Sequence, residues 1–337
     1  MKKAICCVLL TLVFFAIFSF KIVVDLGWLF SPEQGAQSGA PVRENAPSYS
    51  EQLASDGAQD TLETTLYYRF AQTQVLGAQR AVLDLRRDET VATLIVEQLI
   101  AGPDASHDRL GGLFPQGTQL LSATGDGTTA FVTLSSAFLG RPDGAPQDWE
   151  DLAVWQEEAA LRRKLAAQSI VLSLTEGGRF QRVQLYVADS DDDLPRRIEL
   201  YWFDAVQTQA GPVLGPCGRD ETFLLTPELA LEMMMDAWQR GDWAALYALL
   251  AQGDEGLPSL SAFELQMQGI DATLLTYEVS GGSVSLDGRR ATLVLDAQLR
   301  AGEGGDAQII RESVPLTRVM DNWTMTPQTL LSLMVRD

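Results

Sequence analysis

Histidine is nearly absent from this 337-residue chain, which contains a single one, His107. A multi-histidine metal site and a histidine pair are therefore excluded. A hydrolytic triad needs a base, normally histidine, beside its nucleophile. His107 falls in the polar run from Pro103 to Asp108, which predicts a solvated loop. We therefore expect no catalytic, cofactor-binding or metal-ligating residues, and we expect that the protein is not an enzyme.

Cysteine is also scarce, with three in the whole chain. Cys6 and Cys7 lie inside an N-terminal apolar run, and only Cys217 follows that run. The outer part of the chain can therefore form no disulfide within one molecule. An exported domain of this kind is typical of a Gram-positive cell envelope. We interpret Cys217 as an unpaired thiol, and a disulfide between two chains is the alternative.

Basic residues are outnumbered, because 25 Lys and Arg stand against 45 Asp and Glu, a net charge of −20. Residues 1–30 hold Lys2, Lys3 and Lys21 against Asp25 and carry +2, which leaves −22 for the rest. Nucleic acid is excluded as a partner, since a phosphate backbone is bound by clustered Lys and Arg. Anionic lipid headgroups also repel an acidic surface.

An apolar run from Ala4 to Phe20 follows the two N-terminal lysines. Its length is at the short end for a helix that crosses a hydrocarbon core of ~30 Å. The early lysines predict a cytoplasmic N-terminus, with the bulk of the chain outside the cell membrane. We interpret residues 1–30 as an uncleaved signal anchor that spans the membrane once. A cleaved secretory signal peptide has the same early layout and is the alternative.

Composition divides the rest of the chain into four parts. Residues 31–60 are rich in Ser, Gly, Ala, Pro and Gln, which is typical of a flexible linker. Residues 61–205 mix strand-like and helical segments. Residues 206–225 are dense in Gly and Pro and indicate a linker between domains. Residues 226–337 begin with three helical segments and continue only with strands, so the predicted fold class is α+β.

Start and stop signals place the main helices. Asp88 is a candidate N-cap for a helix that ends at Gly102. A longer helix is expected from about Asp148 to the glycine pair at Gly177. In the second domain, Thr226 followed by proline is typical of a helix start.

The stretch from about Thr64 to Val187 resembles the GerM-type (GerMN) domain of sporulation and spore-germination proteins. The third of the four segments that carry the resemblance is similar to the family's P-x-G-T-x-L signature, and the fourth to its V-x-L-S-x-x-F element. In chain order, the segments are Tyr67-Tyr68-Arg69-Phe70, Glu97-Gln98-Leu99-Ile100-Ala101-Gly102-Pro103, Phe114-Pro115-Gln116-Gly117-Thr118-Gln119-Leu120-Leu121 and Ala130-Phe131-Val132-Thr133-Leu134-Ser135-Ser136-Ala137-Phe138.

This resemblance implies an extracytoplasmic, non-enzymatic module, in which two helices pack on a small sheet as in the ring-building motifs of secretion-type assemblies. Better-understood members resemble accessory parts of the channel between mother cell and forespore. The implied function is protein–protein assembly in the cell envelope, during sporulation or spore germination. The implied partners are other envelope proteins or a second GerM-type domain. This chain shows one such domain where some members have two, and it lacks a lipobox.

The second domain resembles, more loosely, the NTF2-like fold, in which three helices precede a curved antiparallel sheet that forms a cone. The segment Trp238-Gln239-Arg240-Gly241-Asp242-Trp243 carries this resemblance. Such cones hold a ligand or an active site in some proteins and are filled in others. An envelope ligand-binding or sensory-accessory protein is therefore the alternative function. Four polar residues are candidates to face such a pocket: Asp236, Tyr247, Asp271 and Tyr277.

An acidic run near the end of the first domain has the spacing of a calcium loop at Asp189, Asp191 and Asp193. The rest of the pattern is missing, because Leu194 stands where glycine is needed and Leu200 where the bidentate glutamate should be. A solvated acidic turn is the favoured interpretation, and weak Ca²⁺ binding is the alternative. A thermal melt that is unchanged by EDTA would dispose of the calcium hypothesis.

Overall fold

The computed structural model describes residues 60–85, 89–205, 211–251, 257–302 and 305–335. The predicted signal anchor and nearly all of the predicted N-terminal linker lie outside these ranges. Within them, no helix is long and apolar enough to cross a membrane. The anchor therefore stays a prediction.

Strands and helices are mixed in both halves of the described chain, which has the expected α+β class. The strands are β1 Asp60–Phe70, β2 Leu76–Leu85, β3 Leu110–Gly111, β4 Leu120–Asp126, β5 Thr129–Ser135, β6 Arg182–Ala188, β7 Arg196–Arg197, β8 Cys217–Gly218, β9 Ala272–Val284, β10 Arg290–Ala301, β11 Ala307–Val319 and β12 Asn322–Thr324. The α-helices are α1 Val91–Ala101, α2 Ala153–Thr175, α3 Pro227–Arg240, α4 Trp243–Ala248, α5 Leu260–Gln268 and α6 Pro327–Met334.

The first half contains two sheets rather than the single small sheet that the GerM-type resemblance implies. In one sheet the order is β2-β1-β3, and β1 runs antiparallel to both neighbours. In the other the order is β4-β5-β6-β7, and β8 also pairs with β6. In the first sheet β1 pairs on its second side with β3, whereas in the other sheet β5 pairs in parallel with β6. Helix α2 contacts both β1 and β6, so it links the sheets.

Helix α2 is buried on every side over its last turns, from Leu165 to Thr175. Two serines in this stretch bond to the backbone of β1. The Ser169 hydroxyl donates to the Tyr67 carbonyl at 2.5 Å, and the Tyr67 N–H donates to Ser173 Oγ at 3.2 Å. These bonds hold α2 on β1. They also pair polar groups whose burial without a partner would be costly in such an apolar layer.

Local start signals place the helices to within a few residues. Helix α1 begins after Thr90, whose Oγ1 accepts from the Thr93 N–H at 3.1 Å, so the prediction of Asp88 as the N-cap is wrong. Asp88 itself lies outside the described residues. Gly102, with φ of 96°, ends the helix as predicted. Helix α2 begins five residues after Asp148, because a short 3₁₀ turn comes first.

The second half begins as predicted, with Thr226 as N-cap of α3 and its Oγ1 accepting from Leu229 N–H at 3.2 Å. Gly241 ends α3 in the left-handed region, at φ of 66°. After α5 the strands form an antiparallel sheet of order β12-β11-β10-β9. The prediction that only strands follow α5 is wrong, because α6 comes after β12. It starts with the same signal as α3, a threonine cap at Thr326 followed by proline.

Arg219 lies in the segment that joins the two halves, and its side chain binds this segment to the first half. Its guanidinium forms an ion pair with Glu176 at 2.8 Å and donates to the Leu172 carbonyl at 3.3 Å, near the end of α2. Its Cζ lies 5.9 Å from the centroid of the Tyr67 ring. Arginine suits this position, because cations are favourable at a helix C-terminus.

The two halves meet along the outer edge of β2. The Asn322 side chain, at the start of β12, bonds to both backbone groups of Ala78. Its Oδ1 accepts from the Ala78 N–H at 2.9 Å, and its Nδ2 donates to the Ala78 carbonyl at 3.1 Å. Gly77 makes room for it, because a Cβ at that position would lie 2.5 Å from Asn322 Oδ1.

Further bonds between the halves flank this pair. The Arg80 N–H donates to Asp321 Oδ2 at 3.0 Å, and the Arg80 side chain lies 3.3 Å from the same carboxylate. Leu225 N–H donates to the Leu76 carbonyl at 3.0 Å. Arg109 donates to the Leu250 carbonyl at 2.5 Å. The edge of β2 is therefore bonded at three alternate residues, 76, 78 and 80.

Candidate functional site

His107 lies in the loop before β3. Its Nδ1 is 3.2 Å from Ser106 Oγ, and its own N–H donates to the Asp104 carbonyl at 2.9 Å. The Asp104 carboxylate accepts from the Ser106 N–H at 2.8 Å, and hydrogen bonds from Ser106 lower the pKa of Asp104. The carboxylate is thus bound to the backbone of its own loop, so a serine–histidine–aspartate relay is not assembled.

Of the four polar candidates in the second half, the structure brings two together. The Tyr277 hydroxyl donates to Asp236 Oδ1 at 2.5 Å and also lies 3.3 Å from the Glu232 carbonyl. Burial and the nearby Asp236 raise the pKa of Tyr277 well above its usual value. Tyr247 instead donates to the Pro258 carbonyl at 2.8 Å, and Asp271 is exposed. The pair fastens α3 to β9.

Apolar side chains fill the described layer between α3 and its sheet. Leu231, Met234 and Trp238 are buried on the helix, and Leu293 and Leu295 are buried on β10. Met233, next to the buried pair Met234 and Met235, is only partly buried. These contacts stabilise the fold through burial of apolar surface.

The acidic run forms a turn in which Asp193 is bonded within the chain. The Ser190 hydroxyl donates to Asp193 Oδ2 at 2.7 Å, and the Asp193 N–H donates to the Ser190 carbonyl at 3.2 Å. Among the residues with assigned positions, no group of three or more His, Cys, Asp or Glu is placed to hold a metal ion. Weak calcium binding therefore stays a hypothesis for the EDTA melt.

Cys217 is buried in β8, and its thiol points toward the Gly215 carbonyl, with the sulfur 3.5 Å from the oxygen. Burial raises its pKa to about 12. A neutral, enclosed thiol is a poor nucleophile and a poor disulfide partner.

Arg163 in α2 is a buried cation that the sequence did not identify. Its Nη2 donates to the Leu139 carbonyl at 2.8 Å and to the Gly140 carbonyl at 3.2 Å. Its Cζ lies 4.9 Å from the Trp202 ring centroid and 5.6 Å from that of Trp149. Burial lowers its pKa to about 10, so the guanidinium stays charged at neutral pH. Sequence spacing gave no signal for this arrangement, because the two tryptophans lie 53 residues apart.

The surface at the start of α2 carries exposed apolar side chains. Leu152 and Val154 are exposed by 39% and 75%, and Trp155 is half-buried. We call Leu152, Val154 and Trp155 the α2-start patch. A small cleft further along α2 is lined by Arg162 and Arg163 together with Phe114 and Pro142. Exposed apolar side chains next to charged ones are typical of protein-binding surfaces.

Comparison with known families gives a match within the first half. Residues 65–193 match the family model Germane, described as sporulation and spore germination. This match confirms the GerM-type resemblance that the sequence carries between about Thr64 and Val187. No curated protein matches the chain.

Solved structures to which parts of this chain are similar include GerMN domains and an NTF-2 like protein. The tandem GerMN domains of the sporulation protein GerM from Bacillus subtilis are 15% identical, over 50% of this chain and 50% of that chain, with a TM-score of 0.31. The first GerMN domain of that protein is also 15% identical, over 47% and 98%, with a TM-score of 0.28. An NTF-2 like protein of unknown function from Shewanella oneidensis is 17% identical, over 29% and 88%, with a TM-score of 0.22. The chain thus spans half of the tandem structure.

Proposed function

We propose that this protein acts by assembly with other proteins in the cell envelope, during sporulation or spore germination, and that it catalyses no reaction. The observation that carries the proposal is the Germane match over residues 65–193, a family described by those two processes. Membrane attachment through residues 1–30 is part of the proposal. It would place the described part of the chain outside the cell.

The bonding of the candidate polar residues supports a non-enzymatic function. Asp104 is bound to its own loop and Asp236 to Tyr277, so neither is held as a free general base beside a nucleophile. General acid–base catalysis needs a group that can reach the proton of a substrate.

The α2-start patch is the surface through which we propose that the first half contacts another protein. Val154 and Leu152 present exposed apolar area at the start of α2. Burial of such residues in a complex would stabilise it, since the gain is roughly 25 cal/mol per Å² of apolar surface.

The test is crosslinking and pull-down of the full chain from its native cells during sporulation. We expect specific envelope proteins, or the chain itself, among the products, and a sporulation or germination defect when the gene is deleted. The variant Val154→Asp should weaken the crosslinks, because it places a charge in the patch. The matched control Ile309→Asp changes an equally exposed side chain in the second half, on β11, and should leave them unchanged. A deletion strain that sporulates and germinates normally, with no crosslinked partner, would refute the proposal.

A further inference from the structure

The outer edge of β2 is closed by the second half in the manner of a paired strand. An edge strand normally presents a row of unpaired N–H and C=O groups. The Asn322 side chain offers one donor and one acceptor to Ala78, as the backbone of a neighbouring strand would. Asp321 takes the next outward N–H, that of Arg80. We call this contact, from Met320 to Asn322, the edge clamp.

The edge clamp holds a backbone that is unfavourable by itself. Met320 and Asp321 form the tight turn between β11 and β12, with φ of 46° and 65°. Non-glycine residues rarely adopt these left-handed values, and they persist where surrounding contacts enforce them. Here the Asn322 side chain donates to the Met320 carbonyl at 2.8 Å, and Arg318 donates to the Asp321 carbonyl at 2.8 Å. These two bonds hold the turn in the conformation that places Asp321 and Asn322 against β2.

Beyond Arg80 the same edge continues. Backbone groups point out of a strand edge at alternate residues, so the positions after 76, 78 and 80 are Val82 and Asp84. Both side chains are exposed, Val82 by 66%. Among the strands that the structure describes, none pairs with this edge of β2, and an exposed β-branched residue at such a place is a ready pairing site.

We propose that β2 pairs antiparallel with β2 of a second copy of this chain, about a two-fold axis at Val82, and that the edge clamp controls this pairing. The inference deepens the proposed function, on which it rests, by naming the partner and its regulation. A two-fold interface is self-complementary, so each contact occurs twice.

The residues around Val82 suit this register. With Val82 opposite Val82, Arg80 lies opposite Asp84 of the second copy, and Asp84 lies opposite its Arg80. Opposite charges directly across an antiparallel pair are favourable, and so are paired β-branched side chains. All three side chains share the exposed face of β2. In the closed clamp, Arg80 is paired with Asp321, so it is not available to pair with Asp84 of a second copy.

The closed clamp and the pairing exclude each other. The Arg80 N–H cannot donate to both Asp321 and the strand of a second copy. Release of the turn from β2 therefore frees the edge.

Disulfide trapping at Val82 tests the proposal in the full chain, in native membranes, with Cys6 and Cys7 replaced by serine. In the proposed register the two Val82 Cα atoms lie about 5.5 Å apart. That separation falls within the range for a disulfide. Val82→Cys should give little oxidised dimer while the clamp is intact. Adding Asn322→Ala should raise the dimer by roughly fivefold or more, because it leaves the Ala78 backbone groups without their partner in the closed state.

Three controls make the result decisive. Leu265→Cys, on α5, is exposed by 72% and should form no additional dimer when Asn322→Ala is added. Asp84→Arg leaves the clamp contacts in place but puts like charges opposite Arg80, so it should remove the gain. Where Asn322→Ala lowers the melting temperature too far for a folded sample, Asp321→Ala opens the clamp more gently.

The outcomes separate this inference from the proposed function. Folded clamp variants in which the disulfide-linked dimer of Val82→Cys stays at the level of the closed protein would overturn the pairing at β2. Crosslinks to envelope proteins through the α2-start patch would survive that result. A dimer gain that is insensitive to Asp84→Arg would also overturn the register.

Discussion

At the scale of single residues, buried polar side chains differ in whether they have hydrogen-bond partners. Both polar atoms of the Asn322 side-chain amide, Oδ1 and Nδ2, form hydrogen bonds to the backbone of Ala78. Gln168 in α2 is fully buried, and neither its Oε1 nor its Nε2 has a hydrogen-bond partner in the described structure. A buried polar group without a partner is a net cost to the folded state.

Replacement of Gln168 by methionine should therefore stabilise the protein. Gln168→Met keeps the length of the side chain and removes the unpaired amide, so we expect the free energy of unfolding to rise by about 1–3 kcal/mol. Thermal and urea melts measure the change. Gln184→Met is the control and should give no comparable gain: its Oε1 also lacks a partner, but its Nε2 donates to the carbonyls of Leu185 and Leu214 at 3.0 and 3.1 Å. A lower melting temperature for Gln168→Met would contradict the interpretation.

The burial of Cys217 leads to a second prediction at this scale. With a pKa of about 12, the thiol is neutral at pH 8 and enclosed in β8. In a chain with Cys6 and Cys7 replaced by serine, we expect no reaction with a colour-forming disulfide reagent until guanidinium unfolds the protein. A rapid reaction of the folded chain, or a dimer on a non-reducing gel, would show instead that Cys217 is accessible.

At the scale of elements, an ion-pair cluster binds α2 to the end of β1. Glu158 on α2 forms ion pairs with Arg69 on β1 and, at 2.6 Å, with Arg162. Arg69 is buried and also donates to the Gln72 and Thr73 carbonyls in the turn that follows β1. The cluster therefore positions the same helix that presents the α2-start patch.

This cluster should make stability depend on acid. Burial disfavours the ionised form of Glu158, but hydrogen bonds and charges from Arg69 and Arg162 outweigh it and lower the pKa of Glu158. A lowered pKa contributes stability above the unfolded value of about 4.3, and this contribution is lost as pH falls through the folded value.

Glu158→Gln should thus cost about 2 kcal/mol at pH 7 and lose less stability than the native chain between about pH 5 and pH 3. Chemical denaturation at several pH values measures both effects. The exposed neighbour Glu157 provides the control, since Glu157→Gln should change neither quantity. Parallel pH profiles for the native chain and Glu158→Gln would rule out the cluster as the source of the acid dependence.

Helix starts and ends that are set by short-range sequence signals can be predicted from the sequence. Contacts between residues that are far apart in the chain cannot. Thr226 with its proline, and Gly102 and Gly241 at helix ends, are short-range signals that the structure confirms. The same signal occurs at Thr326, but the run of strands before it favours the interpretation that only strands follow α5. The pairing of Asn322 with Ala78 joins residues 244 positions apart, and no local periodicity encodes it.

At the scale of the whole molecule, the two halves share one core. Buried apolar residues form a continuous cluster that includes Leu66 and Leu172 in the first half and Leu231 and Leu316 in the second. The edge clamp and the bond from Arg109 to the Leu250 carbonyl add polar contacts across the same boundary. Domains joined in this way lose contacts together when either one unfolds.

We therefore expect the described part of the chain to unfold in a single cooperative transition. Calorimetry of the detergent-solubilised full chain should give equal calorimetric and van't Hoff enthalpies for that transition. Two resolved transitions, with separate loss of the first and second halves, would contradict a shared core. Arg109→Ala should lower the transition temperature, since it removes a bond across the boundary.

The fit between Gly77 and Asn322 has a consequence for how this protein can evolve. The missing side chain of Gly77 is the space that Asn322 Oδ1 occupies. Any larger residue at position 77 would expel the asparagine, and its Cβ would also lie 2.7 Å from Leu110 Cδ2 and 3.0 Å from Phe70 Cδ2, both in the first half. Glycine is therefore expected at position 77 even in relatives that carry a GerM-type domain alone, whereas asparagine at position 322 is expected only where position 77 is glycine.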